Sequence, residues 1–129
     1  MTQEEIMKLV TGKDGFIGNV MNITHNRQNK THELVMEYNQ TSPSDVKHQQ
    51  ELLKQILGTY NERVVIQHGV HFDFGYNTHF QGWAYVNFGV TFLDTSPITI
   101  GDMCFIAPGV ILTCAGHPVV AEQRNQGIE

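Results

Sequence analysis

Apolar positions along this chain follow two rhythms, and the change falls near residue 60. In the first stretch they recur at helical spacing. Ile6, Leu9 and Val10 mark one face behind Thr2-Gln3-Glu4-Glu5, a capping-box pattern in which a threonine and a glutamate three residues on satisfy each other's backbone donors. Lys13-Asp14-Gly15 breaks that helix. Leu34, Val35 and Tyr38 predict a second one over Lys30 to Tyr38. Val46, Leu53, Ile56 and Leu57 predict a third, entered through Thr41-Ser42-Pro43-Ser44-Asp45 with Pro43 or Ser44 near its first turn and stopped at Gly58. Residues 1–60 therefore predict a helical cap.

From residue 61 to 129 the rhythm changes to six. Phe74, Phe80, Val86, Phe92, Ile98, Cys104 and Val110 follow one another at that spacing without a miss, and all are apolar or small. Two residues on lies a second, less uniform column: Tyr76, Gly82, Phe88, Asp94, Ile100, Ile106 and Leu112. An ordinary strand, with period two and a length of about 5–6 residues, cannot sustain such a series. A helix of period 3.6 drifts out of phase with it. A fixed period of six is the mark of a parallel β-helix, in which each hexad supplies one flat side of a three-sided core and small residues permit the corners. With three hexads to a coil, residues 64–117 predict about three coils of eighteen residues.

Composition narrows the function. Thirteen acidic against eight basic side chains give a net charge of −5, without the basic footprint of a nucleic-acid binder. No apolar run approaches the ~20 residues that cross a bilayer, so no membrane partner is expected. Two cysteines, Cys104 and Cys114, make no disulfide framework, and the polar, acidic start MTQEEIMKLV is unlike a signal peptide. A cytoplasmic protein is the expectation.

Several segments carry a resemblance: Met36-Glu37-Tyr38-Asn39, Ser42-Pro43-Ser44-Asp45, Phe72-Asp73-Phe74-Gly75-Tyr76-Asn77, Val86-Asn87-Phe88, Ile98-Thr99-Ile100-Gly101-Asp102, Ile106-Ala107-Pro108-Gly109-Val110 and Ala115-Gly116-His117-Pro118. In order and separation they resemble the sugar O-acetyltransferases of the hexapeptide-repeat superfamily, the galactoside and maltose acetyltransferases. The resemblance implies a mainly β fold, a left-handed parallel β-helix of about three coils with an α-helical N-terminal cap. It also implies a homotrimer with sites between subunits, acetyl-CoA as co-substrate with no bound cofactor, and a small sugar as acceptor. Family members continue past the Gly-His-Pro segment with further hexads, so the resemblance further implies a β-helix truncated at its C-terminus. A non-catalytic module lacking most of the coenzyme A cleft is the alternative reading.

His117 matches the family's catalytic segment. A neutral imidazole, with an ordinary pKa of ~6.5, suits removal of a hydroxyl proton near neutral pH. Without the resemblance, a histidine before proline in a glycine-rich stretch reads as a loop residue. Asn87 matches the family's active-site asparagine, although Gly89 stands where the pattern has a second one; its competing reading is a stacked corner amide. Asp73 resembles an acceptor-contacting carboxylate, against a turn-capping aspartate. Tyr85 and Asp94 fall beside these positions, and Asn19 lies where the family's cap offers an acidic acceptor contact. These five are expected to bind substrate. Phe80-Gln81-Gly82-Trp83 departs from the usual Ile-Gly-x-Asn hexad and reads as an altered corner with Trp83 outward or at a subunit contact. His68, His71 and His79 raise a third alternative, a zinc enzyme like the gamma-class carbonic anhydrases. Their spacings of three and eight do not stack ligands one coil apart, so no metal is expected.

Overall fold

The computed structural model describes residues 2–19 and 25–129. Helix α1 (Gln3–Val10) opens with the complete Thr2–Glu5 capping box. Helices α2 (His25–Gln40) and α3 (Val46–Ile56) form an antiparallel pair, α3 starting where Asp45 accepts the His48 amide proton. Helix α2 is longer than its apolar spacing suggested, because its outer turns are polar on every face. On α3 one expectation fails: Val46 is 54% exposed, and Leu52 takes the inward place beside Leu53 and Ile56.

Eight short strands follow: β1 (Val64–Ile66), β2 (His71–Phe72), β3 (Thr78–Phe80), β4 (Ala84–Val86), β5 (Thr91–Leu93), β6 (Ile98–Ile100), β7 (Cys104–Ile106) and β8 (Ile111–Thr113). They stack into three parallel sheets, ordered β1-β4-β7, β2-β5-β8 and β3-β6. Consecutive strands never pair. The chain visits the three sheets in turn, making two full coils and two sides of a third, a left-handed parallel β-helix. A short helix α4 (Ala121–Asn125) comes after the last strand.

The register corrects the coil length. Val64 pairs with Ala84 and Ala84 with Cys104, while His71 pairs with Thr91 and Thr91 with Ile111. Each coil is therefore 20 residues long, not eighteen. The extra pair sits at one corner only. The first inward residues of successive sides are Val64, Val70, Thr78, Ala84, Val90, Ile98, Cys104 and Val110, separated by six except across β2–β3 and β5–β6, where the step is eight. Because the insertion is even, it preserves the in–out alternation of the strands. The column from Phe80 to Val110 accordingly lines the interior, its first three residues buried and its last three packed on the core, while Phe74, also buried, lies at the inserted corner against Tyr76 and outside that cluster. The second column is less faithful: Phe88 turns out at the β4–β5 corner and is 58% exposed.

Phe92 centres the core, stacked on Phe72 at 4.8 Å between ring centroids and edge-on to Phe80 at 6.1 Å. The helical pair plugs the first coil: Val35, Tyr38, Leu52, Leu53, Ile56 and Leu57 belong to the same apolar cluster as Val64, Ile66, Val70 and Phe72. An uncapped coil would leave that surface in water. Two glycines make the junction possible. A Cβ on Gly58 would strike the Tyr76 carbonyl, and Gly75, at φ +74°, brings the chain against the Ile56 carbonyl. No helix among the described residues is long and apolar enough to cross a membrane.

Candidate active site

The widened corner gathers most of the chemistry. Its first layer is Asp73 to Asn77, its second Asp94 to Pro97, and its third Cys114 to His117, where the Cys114 amide donates to the Leu93 carbonyl and keeps the 20-residue step. Six-residue counting could not show this stacking. Asp73, Asp94 and His117 lie far apart in sequence and share one edge of the prism.

They do not share an environment. Asp94 is fully buried. One carboxylate oxygen accepts the Phe74 amide proton at 2.8 Å and the other the Thr78 hydroxyl proton at 3.0 Å. Burial pushes its carboxyl above the ordinary range, and these two donors draw it back. The Asn77 amide nitrogen donates to the Asp94 carbonyl at 3.0 Å and to the Val10 carbonyl at 2.7 Å, tying the end of α1 to the corner. In this conformation Asp94 braces the fold and has no free face for a sugar. Asp94→Ala would strand both donors, at a cost of about 1–3 kcal/mol each. Asp94→Asn, which keeps an acceptor for Phe74, should lose clearly less. Urea denaturation of the two variants reads the difference.

Asp73 points outward into a cavity of about 490 Å³ between α2 and the second sheet, whose walls include His32, Met36, His71 and Leu93. Burial raises its carboxyl, opposed by the nearby His32 and by a 3.5 Å contact from the Gln28 amide. His32 was not singled out beforehand; α2 packing on the coil brings it beside Asp73, and His71, considered above only as a zinc ligand, lines the same cavity two residues before Asp73.

His117 is exposed on the loop after β8, and among the described residues its ring makes no hydrogen bond or ion pair. Its neighbour Gly116 lines a small cavity of about 40 Å³ with Asn19, Thr95, Ser96 and Cys114. Asn19 reaches that point because residues 18–19 bridge to 128–129: Gly18 and Glu129 exchange backbone hydrogen bonds at 2.8 and 3.1 Å, and the Asn19 amide donates to the Gln126 carbonyl at 2.7 Å. Thr95 and Ser96 were missed in the sequence. The 20-residue step, which sets them under residues 115 and 116, was the signal.

Tyr85 and Asn87 lie elsewhere, on β4 and the corner after it. The Tyr85 hydroxyl accepts from the Gln67 amide at 3.0 Å, leaving its own proton to donate. The Asn87 carbonyl oxygen accepts the Phe88 amide proton at 2.8 Å, leaving the NH₂ group outward. Within one copy, therefore, the residues singled out fall at two different corners. The histidine trio is likewise dispersed: His68 meets Gln49, His79 meets the Thr59 hydroxyl at 2.8 Å, and His71 edges the Asp73 cavity. Among the described residues, no three His, Cys, Asp or Glu side chains gather as metal ligands.

Known proteins share this design. Residues 25–61, covering α2, α3 and the entry to β1, match the maltose acetyltransferase hexapeptide capping motif. A galactoside O-acetyltransferase of Escherichia coli K12 is 38% identical over 94 residues, which are 73% of this chain and 46% of that protein. A galactoside acetyltransferase solved in complex with coenzyme A superposes with a TM-score of 0.82 and 31% identity, covering 99% of this chain and 62% of that one. A maltose O-acetyltransferase from Clostridium difficile 630 superposes at 0.80 with 28% identity, over 99% and 66%. The chain spans about half the length of the curated relatives it matches. Capping motif, relatives and coiled fold together make this chain similar to the galactoside and maltose O-acetyltransferases of the hexapeptide-repeat superfamily.

Proposed function

We propose that the chain serves an acetyl-CoA-dependent O-acetyltransferase that modifies a sugar hydroxyl, with His117 as general base and sites shared between copies of a cytoplasmic homotrimer. The observation that carries this reading is the division of polar groups between two corners. One corner offers an unencumbered imidazole beside the Asn19, Thr95 and Ser96 cavity. The other offers two hydrogen-bond donors, from Tyr85 and Asn87. Apposition of these corners in neighbouring copies would join a base to donors. An apolar outer stripe of Val65, Tyr85 and Phe105, in register on the β1-β4-β7 sheet, favours such contact. Both cysteines are free thiols, in keeping with a reducing compartment.

The chemistry is then ordinary acyl transfer. The neutral imidazole of His117 takes the proton of the acceptor hydroxyl as its oxygen bonds to the thioester carbonyl carbon. The Asn87 NH₂ group donates to the oxygen that becomes negative. Collapse breaks the carbon–sulfur bond, and the imidazolium returns the proton to the coenzyme A sulfur, giving an acetyl ester and free thiol. Asp73, facing the cavity between α2 and the second sheet, hydrogen-bonds acceptor hydroxyls.

The test is thiol release from acetyl-CoA by the purified chain across a panel of glycosides. Release that requires both substrates is the expected result. Absence of release with every sugar, from a folded and assembled chain, overturns the reading.

A further inference from the structure

Helix α1 has 8 residues, too few for an isolated helix to hold its shape in water. Its attachment to the rest of the chain is slight. Val10 is its one buried residue, and Leu9 beside it is 39% exposed. The Arg27 guanidinium adds a 3.4 Å contact to the Met7 sulfur. The strong link is Asn77, whose amide nitrogen donates to the Val10 carbonyl at 2.7 Å and to the Asp94 carbonyl at 3.0 Å. One side chain thus joins the last residue of α1 to the second layer of the widened corner.

For packing alone, Asn77 is a poor choice. It is 1% exposed, and its side-chain oxygen is buried without a hydrogen-bond partner among the described residues. An unpaired buried acceptor is destabilising, whereas an apolar side chain of similar shape would carry no such cost. The coil does not need the amide either, because the Ile98 amide proton goes to the backbone carbonyl of residue 77. What the two side-chain donors fix is the path of residues 11–19. That segment leaves Val10 at the first layer of the corner and reaches the third. There Phe16, Gly18 and Asn19 wall the small cavity with Ser96 and Gly116, next to His117. Glu129 fastens its far end through Gly18.

We infer that Asn77 is a positioning residue for the acceptor: by pinning the end of α1 it sets residues 11–19 as one wall of the space in which His117 meets the acceptor hydroxyl. This rests on the acyl-transfer reading above. Asn77, being buried, acts only through that segment.

Hydrogen exchange and steady-state kinetics of the full chain test it together, with methyl β-galactoside as the acceptor. Asn77→Ala removes both donors, while Asn77→Ser keeps a hydroxyl able to replace one of them. In the alanine variant the amides of residues 3–19 should exchange about tenfold faster, with strand amides keeping their rates. The acceptor KM should rise about tenfold, with kcat and the KM for acetyl-CoA nearly unchanged. Asn77→Ser should recover part of both effects. Val10→Ala loosens α1 from its own side, outside the apolar cluster of the prism. It should move both readouts in the same direction, and it carries the test if Asn77→Ala does not fold. Unchanged exchange in residues 3–19, or faster exchange spread evenly over the strands, overturns the inference. So does a loss confined to kcat. An unmoved acceptor KM in active variants would sink the positioning role and spare the acyl-transfer reading. No turnover by the folded and assembled unsubstituted chain would sink that reading, and the positioning role with it, whatever the exchange shows.

Discussion

His117→Ala is expected to lower acetyl transfer by about 10²–10⁴-fold, the usual contribution of a positioned general base. The loss should fall on kcat. In the proposed mechanism the imidazole touches the reacting proton and not the bulk of either substrate, so KM for acetyl-CoA should change little. The structure makes this a clean experiment. His117 is exposed on a loop and among the described residues has no hydrogen-bond partner to lose, so thermal stability should be unaffected. A variant that keeps its melting temperature and its activity would remove His117 from the chemistry.

Phe92→Ala carries the largest expected cost in stability, about 3–5 kcal/mol. Phe92 is fully buried, stacked on Phe72 one coil below and edge-on to Phe80 from another sheet. The cavity left behind would be walled by sheet backbone held in parallel registers, which cannot collapse inward without breaking coil-to-coil hydrogen bonds. The full cavity penalty should therefore appear in urea denaturation. A loss under about 1 kcal/mol would mean that residue 92 does not sit at the centre of a closed prism.

Much of this architecture was legible because a β-helix repeats one local rule. Apolar residues at Phe80, Val86, Phe92 and Ile98 must recur wherever the chain passes the core, so a simple period exposes them. The capping box at Thr2–Glu5 is a local hydrogen-bond pattern and was equally visible, whereas α3 begins two residues later than expected, with Asp45 as its cap and Pro43 and Ser44 in the loop before it. The error in coil length has a physical cause. An insertion of two residues leaves the in–out alternation intact, so a six-spaced column slides from the second inward position, at Phe80, Val86 and Phe92, to the first, at Ile98, Cys104 and Val110, without surfacing. Only strand pairing, which is not written in any single strand, reveals the step of 20.

The same miscount hid the site. With eighteen-residue coils, Thr95 and Ser96 do not fall under Ala115 and Gly116, and the widened corner does not exist. Asp94 was singled out for its place beside other candidates. Its burial follows from the inserted pair, which turns that position inward toward the Phe74 amide and the Thr78 hydroxyl. Trp83 and Phe105 illustrate the opposite limit. Residues 83 and 105 are unrelated by six or by 20, and they meet because neighbouring strands on one face bring unlike positions into diagonal contact.

The central claim is that the two corners act together across a subunit boundary, and complementation tests it most directly. His117→Ala and Asn87→Ala, each impaired alone, are mixed in equal amounts, unfolded and refolded together. If one copy supplies the base and its neighbour the donor, random assembly into trimers restores roughly a quarter of the unsubstituted activity, because some boundaries regain both native side chains. Activity no greater than that of the separate variants, in a mixture shown to contain mixed assemblies, would contradict it.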